Sequence, residues 1–201
     1  MSSCSSINTR AGSRFMNNKA SKQGSNFPAS QRKLAMSSSS STIKAAMVAP
    51  TKIGPSGFGA TEGSAQDIDS NSKPKALQQI DIWAKDGSAG RIDAISFIYA
   101  DQDSQTVTVP AWGNTEASGK STITIGSGEY LTKLCGTTAN NCVTSLTFST
   151  SKPATYGPYG RSPTTGEQEF TIDVDGDSIV AFYGRSDHYL RAIGAYSGPQ
   201  A

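Results

Sequence analysis

From about Ile53 onward, apolar and polar residues alternate with a period of two rather than 3.6. Ile80 and Ile82 are followed by Ile95, Phe97 and Tyr99, by Val107 and Val109, and by Ile123 and Ile125. Leu146 and Phe148, then Phe170, Ile172 and Val174, then Ile179, Ala181 and Tyr183 continue the series. Successive side chains of a strand point to opposite faces, so this alternation predicts strands with one face against a core. Asp86-Gly87, Ser127-Gly128, Asn140-Asn141 and Asp175-Gly176 fall between the runs and read as tight turns. No stretch carries a helical stripe, which excludes parallel βαβ units and predicts an all-β domain of antiparallel hairpins.

Residues 1–45 break this pattern. They hold 13 serines and seven basic residues, Arg10, Arg14, Lys19, Lys22, Arg32, Lys33 and Lys44, and no acid precedes Glu62. The composition is that of an organelle transit peptide in a disordered amino-terminal segment; a secretory signal would need an apolar run of seven or more residues. Ile43-Lys44-Ala45-Ala46 resembles a plastid cleavage pattern, so residues 1–45 are expected to be removed on import into a chloroplast. The alternative is a tailed protein of cytoplasm and nucleus. Residues 46–52 then read as a linker and 53–198 as the folded domain.

Length and composition narrow the function. A chain of 201 residues accommodates one ordinary domain and a tail. No run approaches the roughly 20 apolar residues of a membrane-spanning helix. From Ala46 onward, 11 basic residues face 16 acidic ones, a net charge of about −5. That argues against a nucleic-acid partner, since phosphate binding needs a basic face. No nucleophile and base pair stands out, so an enzyme is not expected, and no cofactor is called for.

Several segments together resemble the jacalin-related lectins. They are Gly54-Pro55 with Gly57 and Gly59, Gln79-Ile80-Asp81-Ile82-Trp83, Arg91-Ile92-Asp93-Ala94-Ile95-Ser96-Phe97, Ser145-Leu146-Thr147-Phe148, Tyr156-Gly157-Pro158-Tyr159-Gly160, and Gly184-Arg185-Ser186 with Ala192-Ile193-Gly194. The match runs from about Ile53 to Tyr196 in the family's order. It implies a β-prism of three four-stranded antiparallel Greek-key sheets with pseudo-threefold symmetry, sugar bound in loops at one end, and pairing into a homo-oligomer. A mannose- or glucose-containing glycan is expected ahead of galactose. Galactose-binding members resemble chains with a freed amino terminus on the first-loop glycine, whereas Gly54 is still preceded by Val48 to Ile53 after the expected cut.

The resemblance also places the sugar site, in three loops: the first with Gly57, Phe58 and Gly59, the second with Asn140, and the last with Asp187, His188, Tyr189, Leu190 and Arg191. A sugar's hydroxyls are oriented by backbone N–H groups and by a carboxylate that accepts two hydrogen bonds. The family's last loop has Gly, three residues, then that Asp; here Asp187 stands for the glycine and Arg191 for the carboxylate. Guanidinium has five donors and no acceptor. Two outcomes are therefore open: Asp187 supplies a displaced carboxylate that pairs with Arg191 or a ligand, or the sugar site is weakened and the domain serves as a protein-interaction scaffold. Replacing Arg191 with Asp is expected to strengthen mannose binding.

Two further features need weighing. Asp173-Val174-Asp175-Gly176-Asp177 alternates carboxylates, but its glycine comes too early for an EF-hand and no closing Glu follows, so an Asp-Gly turn is expected and no metal. Cys135 and Cys142 flank a six-residue stretch and would face each other if Leu131 to Cys135 paired with Cys142 to Phe148. A disulfide between them and two small buried thiols both fit that spacing.

Overall fold

The computed structural model describes residues 49–54 and 61–200. These form twelve strands and no helix. The two longest, β3 (Pro74–Lys85) and β4 (Arg91–Asp101), make a hairpin flanked by β5 (Thr106–Gly113) and β6 (Gly119–Thr124), giving a four-stranded antiparallel sheet of order β5-β4-β3-β6. Every alternating run read from the sequence lies in or at the end of a strand. Each of the four turn pairs contains a residue at positive φ, and Asn140 and Asn141 both do, at 49° and 57°. Positive φ at both central positions makes this a two-residue hairpin turn matched to strand twist.

The other strands are β1 (Thr51–Ile53), β2 (Ser64–Gln66), β7 (Leu131–Ala139), β8 (Cys142–Thr150), β9 (Thr155–Gly160), β10 (Gln168–Asp173), β11 (Ser178–Ser186) and β12 (Leu190–Gly198). They form one eight-stranded antiparallel sheet with the path β1-β12-β11-β7-β8-β9; β2 adds to β11, and β10 adds to β7. The expected count of three four-stranded sheets therefore appears as four plus eight. The physical reason is a seam where β11 meets β7 in a single register pair, Ile179 opposite Leu131, both in the core. On either side of that seam lie four strands, β1-β12-β11-β2 and β10-β7-β8-β9. β1 begins at Thr51, inside the stretch read as linker, because its backbone pairs with β12 from Ser197 to Ala195.

The core is built from all of these strand groups. Phe97 of β4 packs edge-on against Trp112 of β5 and against Phe182 of β11, both at 5.3 Å, and Phe182 also meets Phe148 of β8 at 6.2 Å. Burial is continuous from Ile92 to Phe97 and from Ser178 to Gly184, so β4 and β11 are covered on both faces. They form the structural spine from which the loops project.

Candidate functional site

The site is assembled where four separated stretches meet: Glu62–Gly63 ahead of β2, the start of β4 at Arg91, the β7–β8 turn, and the β11–β12 turn. Its flank is held by β1 and β12. Lys52 forms an ion pair with Asp67 at 2.6 Å and lies over the Tyr183 and Tyr196 rings. The Tyr196 hydroxyl donates to Asp67 at 2.7 Å; burial first, and then that hydrogen bond, push its pKa up to about 12. The Tyr183 hydroxyl donates to the Gly54 carbonyl at 3.2 Å, fixing the root of the Gly-rich loop. Gly57, Phe58 and Gly59 lie outside the described residues.

At the β11–β12 turn, Asp187 is the displaced carboxylate and Arg191 is its partner. Arg191 Nε donates to Asp187 Oδ1 at 2.9 Å, and Nη2 lies 2.8 Å from Oδ2, a two-pronged contact across four residues. Paired parallel bonds of this kind are stronger and more directional than neutral ones. The Arg191 hydrogen bond holds the Asp187 carboxyl below the usual range; burial opposes this and the Tyr189 backbone N–H assists it. Asp187 is not among the residues at positive φ, so the site does not require glycine there.

Arg191 also joins two other loops. Its Nη1 donates to the Asn141 carbonyl at 3.1 Å and lies 3.8 Å from Glu62 Oε2, while Asn141 Nδ2 donates to Glu62 Oε1 at 2.9 Å. Tyr189 carries the Arg91 guanidinium at 4.0 Å from its ring centre and the Arg191 guanidinium at 5.3 Å. Arg91 Nε in turn donates to Asp93, a fully buried carboxylate whose second oxygen has no partner among the described residues. Arg185 donates to the Glu62 and Gly63 carbonyls, tying the first loop's end to β11.

The sequence-derived residues therefore divide. Asp187, Tyr189 and Arg191 converge. His188 is exposed beside Tyr189, with ring centres 6.4 Å apart. Leu190 is fully buried, so its side chain belongs to the core and is not offered to a ligand. Asn140 shapes the turn, and its neighbour Asn141 makes the contacts. Glu62, Arg91 and Arg185 were not foreseen; Glu62 and Asn141 lie 79 positions apart, and no local signal could connect them.

The disulfide between Cys135 and Cys142 does not form. β7 runs on to Ala139, so Cys142 stands opposite Ala139 and Cys135 opposite Thr147, four positions further along the strand. At about 3.4 Å per residue that offset is well beyond a disulfide's reach. Cys142 is a free thiol that donates to the Ala139 carbonyl at 3.2 Å. Burial pushes its pKa up, against the pull of Arg191, Arg91 and Arg161. In the acidic stretch, Gly176 turns at φ 79°, Asp173 pairs with Lys133 at 2.6 Å, and Asp177 accepts from Ser197, so these two carboxylates are engaged by different neighbours.

Comparison with known proteins bears on the family. The family model described as "Jacalin-like lectin domain" matches residues 54–196. Jacalin-related lectin Calsepa from Calystegia sepium is 39% identical over 102 residues, which span 49% of this chain and 65% of that protein. Horcolin from Hordeum vulgare is 34% identical over 158 residues, 76% of this chain and all of its own length. Among solved structures, AcmJRL, a mannose binding jacalin related lectin from Ananas comosus, superposes with a TM-score of 0.61 at 35% identity, over 75% of this chain and 98% of that one.

Proposed function

The chain belongs to the jacalin-like lectin domain family, and from that premise we propose that it is a carbohydrate-binding module, not an enzyme, for glycans of the mannose and glucose type. The observation that carries this reading is the convergence of three loops on one pole, with Tyr189, Asp187 and Arg191 at its centre. An aromatic ring and short polar groups are what a saccharide needs for its apolar face and its hydroxyls. A mannose-binding relative aligned along most of the domain supports the sugar class. We also read the eight-stranded sheet as two four-stranded ones joined at Ile179 and Leu131, which with β3–β6 gives a three-sided prism, and we expect the domain to pair with itself.

A second reading rests on a specific observation: Arg191 commits its donors to Asp187, Asn141 and Glu62. A pole closed by its own ion pairs would favour a protein-interaction scaffold. Titration with mannotriose and mannan, followed by amide shifts, separates the two. The lectin reading expects shifts at residues 57–59, 141 and 187–191 in the millimolar range, and saturating sugar without shifts would favour the scaffold.

We further propose that residues 1–45 direct the chain to plastids, on the strength of their acid-free, hydroxyl-rich composition. Fused to a fluorescent reporter, they should carry it into plastids of a plant cell and leave a mature end near Ala46. A diffuse signal with Met1 or Ser2 retained would overturn this and assign the protein to cytoplasm and nucleus.

A further inference from the structure

We infer that Arg191 makes this pole selective for acidic saccharides, with a carboxylate or sulfate of the ligand taking the place of Asp187 on the guanidinium. The inference rests on the lectin reading and names the ligand class within it.

The starting point is that the Arg191 guanidinium already holds a carboxylate in two-pronged geometry. Asp187 is thus an internal occupant that displays what the group is shaped to receive. The guanidinium keeps its place without Asp187, because Nη1 is anchored on the Asn141 carbonyl and its central carbon lies 5.3 Å from the Tyr189 ring centre. Its side chain is only 17% exposed, whereas that of Asp187 is 35% exposed. The other hydrogen bonds to the Asp187 carboxylate come from the backbone N–H groups of His188 and Tyr189 within the same turn. The carboxylate can therefore rotate into water while the core beneath it, where Leu190 is fully buried, stays intact.

Ligand chemistry follows from the donor set. A neutral hydroxyl accepts a single hydrogen bond from Arg191, whereas a carboxylate or sulfate adds its own charge and can take both prongs at once. Arg91 brings a second guanidinium to the same Tyr189 ring. Glu62 is the opposing charge; at 3.8 Å and with a side chain 56% exposed, it is screened by water and holds the guanidinium loosely. A saccharide that lies beside Tyr189 and whose acidic group reaches Arg191, with Arg91 close by, fits this arrangement.

The test compares ligands that share the mannose ring. Calorimetric titration of the folded domain with mannotriose, a mannuronate trisaccharide and a sulfated mannotriose isolates the carboxylate and the sulfate in separate arms. At low salt, at least one acidic ligand is expected to bind about tenfold more tightly than mannotriose, and added salt should erode that preference while leaving neutral binding unchanged. Arg191→Gln should abolish the preference. Asp187→Asn, which removes the internal occupant, should raise acidic-ligand affinity several-fold, a gain that misfolding cannot produce. Equal or tighter binding of mannotriose would overturn the inference and leave the lectin reading intact. An acidic preference that survives in Arg191→Gln would overturn it as well, and no binding of any ligand at millimolar concentration would overturn both.

Discussion

Truncating Phe182 to alanine is expected to lower the free energy of unfolding by about 3–5 kcal/mol, the usual range for a large aromatic removed from a core. Phe182 is fully buried on β11 and lies edge-on to Phe97 at 5.3 Å and to Phe148 at 6.2 Å. It is therefore the ring through which the four-stranded sheet, the β11–β12 strands and the β7–β8 strands share one core. Its removal forfeits transfer free energy, leaves a cavity bounded by stiff strands, and loses two aromatic pairs worth about 0.5–1.5 kcal/mol each. Because domains of this size are stable by only about 5–15 kcal/mol, that loss should move the urea midpoint far towards zero. Trp112, packed on Phe97, reports the transition by fluorescence. A loss below about 1 kcal/mol would mean that the three strand groups are held together elsewhere.

The elements most plainly legible in the sequence were those with one wet face. β10 is the plainest case: Phe170 and Ile172 are buried while Glu169, Thr171 and Asp173 are exposed, so the period of two survives in the residues themselves. β12 shows no alternation, and only the family resemblance through Ala192-Ile193-Gly194 pointed to it, because most of its residues from Leu190 to Gly198 are buried. Gly194 is there for packing, since a Cβ would fall 2.3 Å from the Tyr183 ring. In β7, Gly136-Thr137-Thr138 looked like loop, yet Thr137 is buried with its hydroxyl bonded to Thr144 and Ser145 across the hairpin. Reading that stretch as loop is what made Cys135 and Cys142 look opposed.

The site was legible in proportion to how local its contacts are. Asp187 and Arg191 sit four apart across a single turn, and a pair between them was one of the outcomes that the sequence left open. Asn141 and Glu62, which complete the arrangement, come from turns 50 and 129 or so residues away along the chain from Arg191, and only the strand order brings them together. Neither was read as part of the site, which made Arg191 look like a simple replacement for a sugar-binding carboxylate. In the folded protein it links three loops.

That difference changes the expected outcome of restoring the family's pattern. Arg191→Asp alone would set a new carboxylate beside Asp187 and near Glu62, and like charges at such range raise each other's pKa and push the loops apart. The double variant Asp187→Gly/Arg191→Asp avoids this by removing the first carboxylate together with the cation that neutralised it. Since Asp187 is not at positive φ, glycine enters without relieving any strain, and the gain has to come from the new acceptor. A charge-assisted hydrogen bond to a sugar hydroxyl is worth about 1.5–3 kcal/mol, so the double variant should bind methyl α-mannoside about tenfold or more tightly than the unaltered chain, with Arg191→Asp falling between. The four proteins form a double-mutant cycle whose coupling term measures the Asp187–Arg191 interaction, provided that each melts cooperatively. The same double variant should lose all preference for mannuronate, because the guanidinium that would hold an acid is gone. Weaker mannoside binding by the double variant than by the unaltered chain would show that Arg191 itself grips the neutral sugar, and the acceptor argument would then fall.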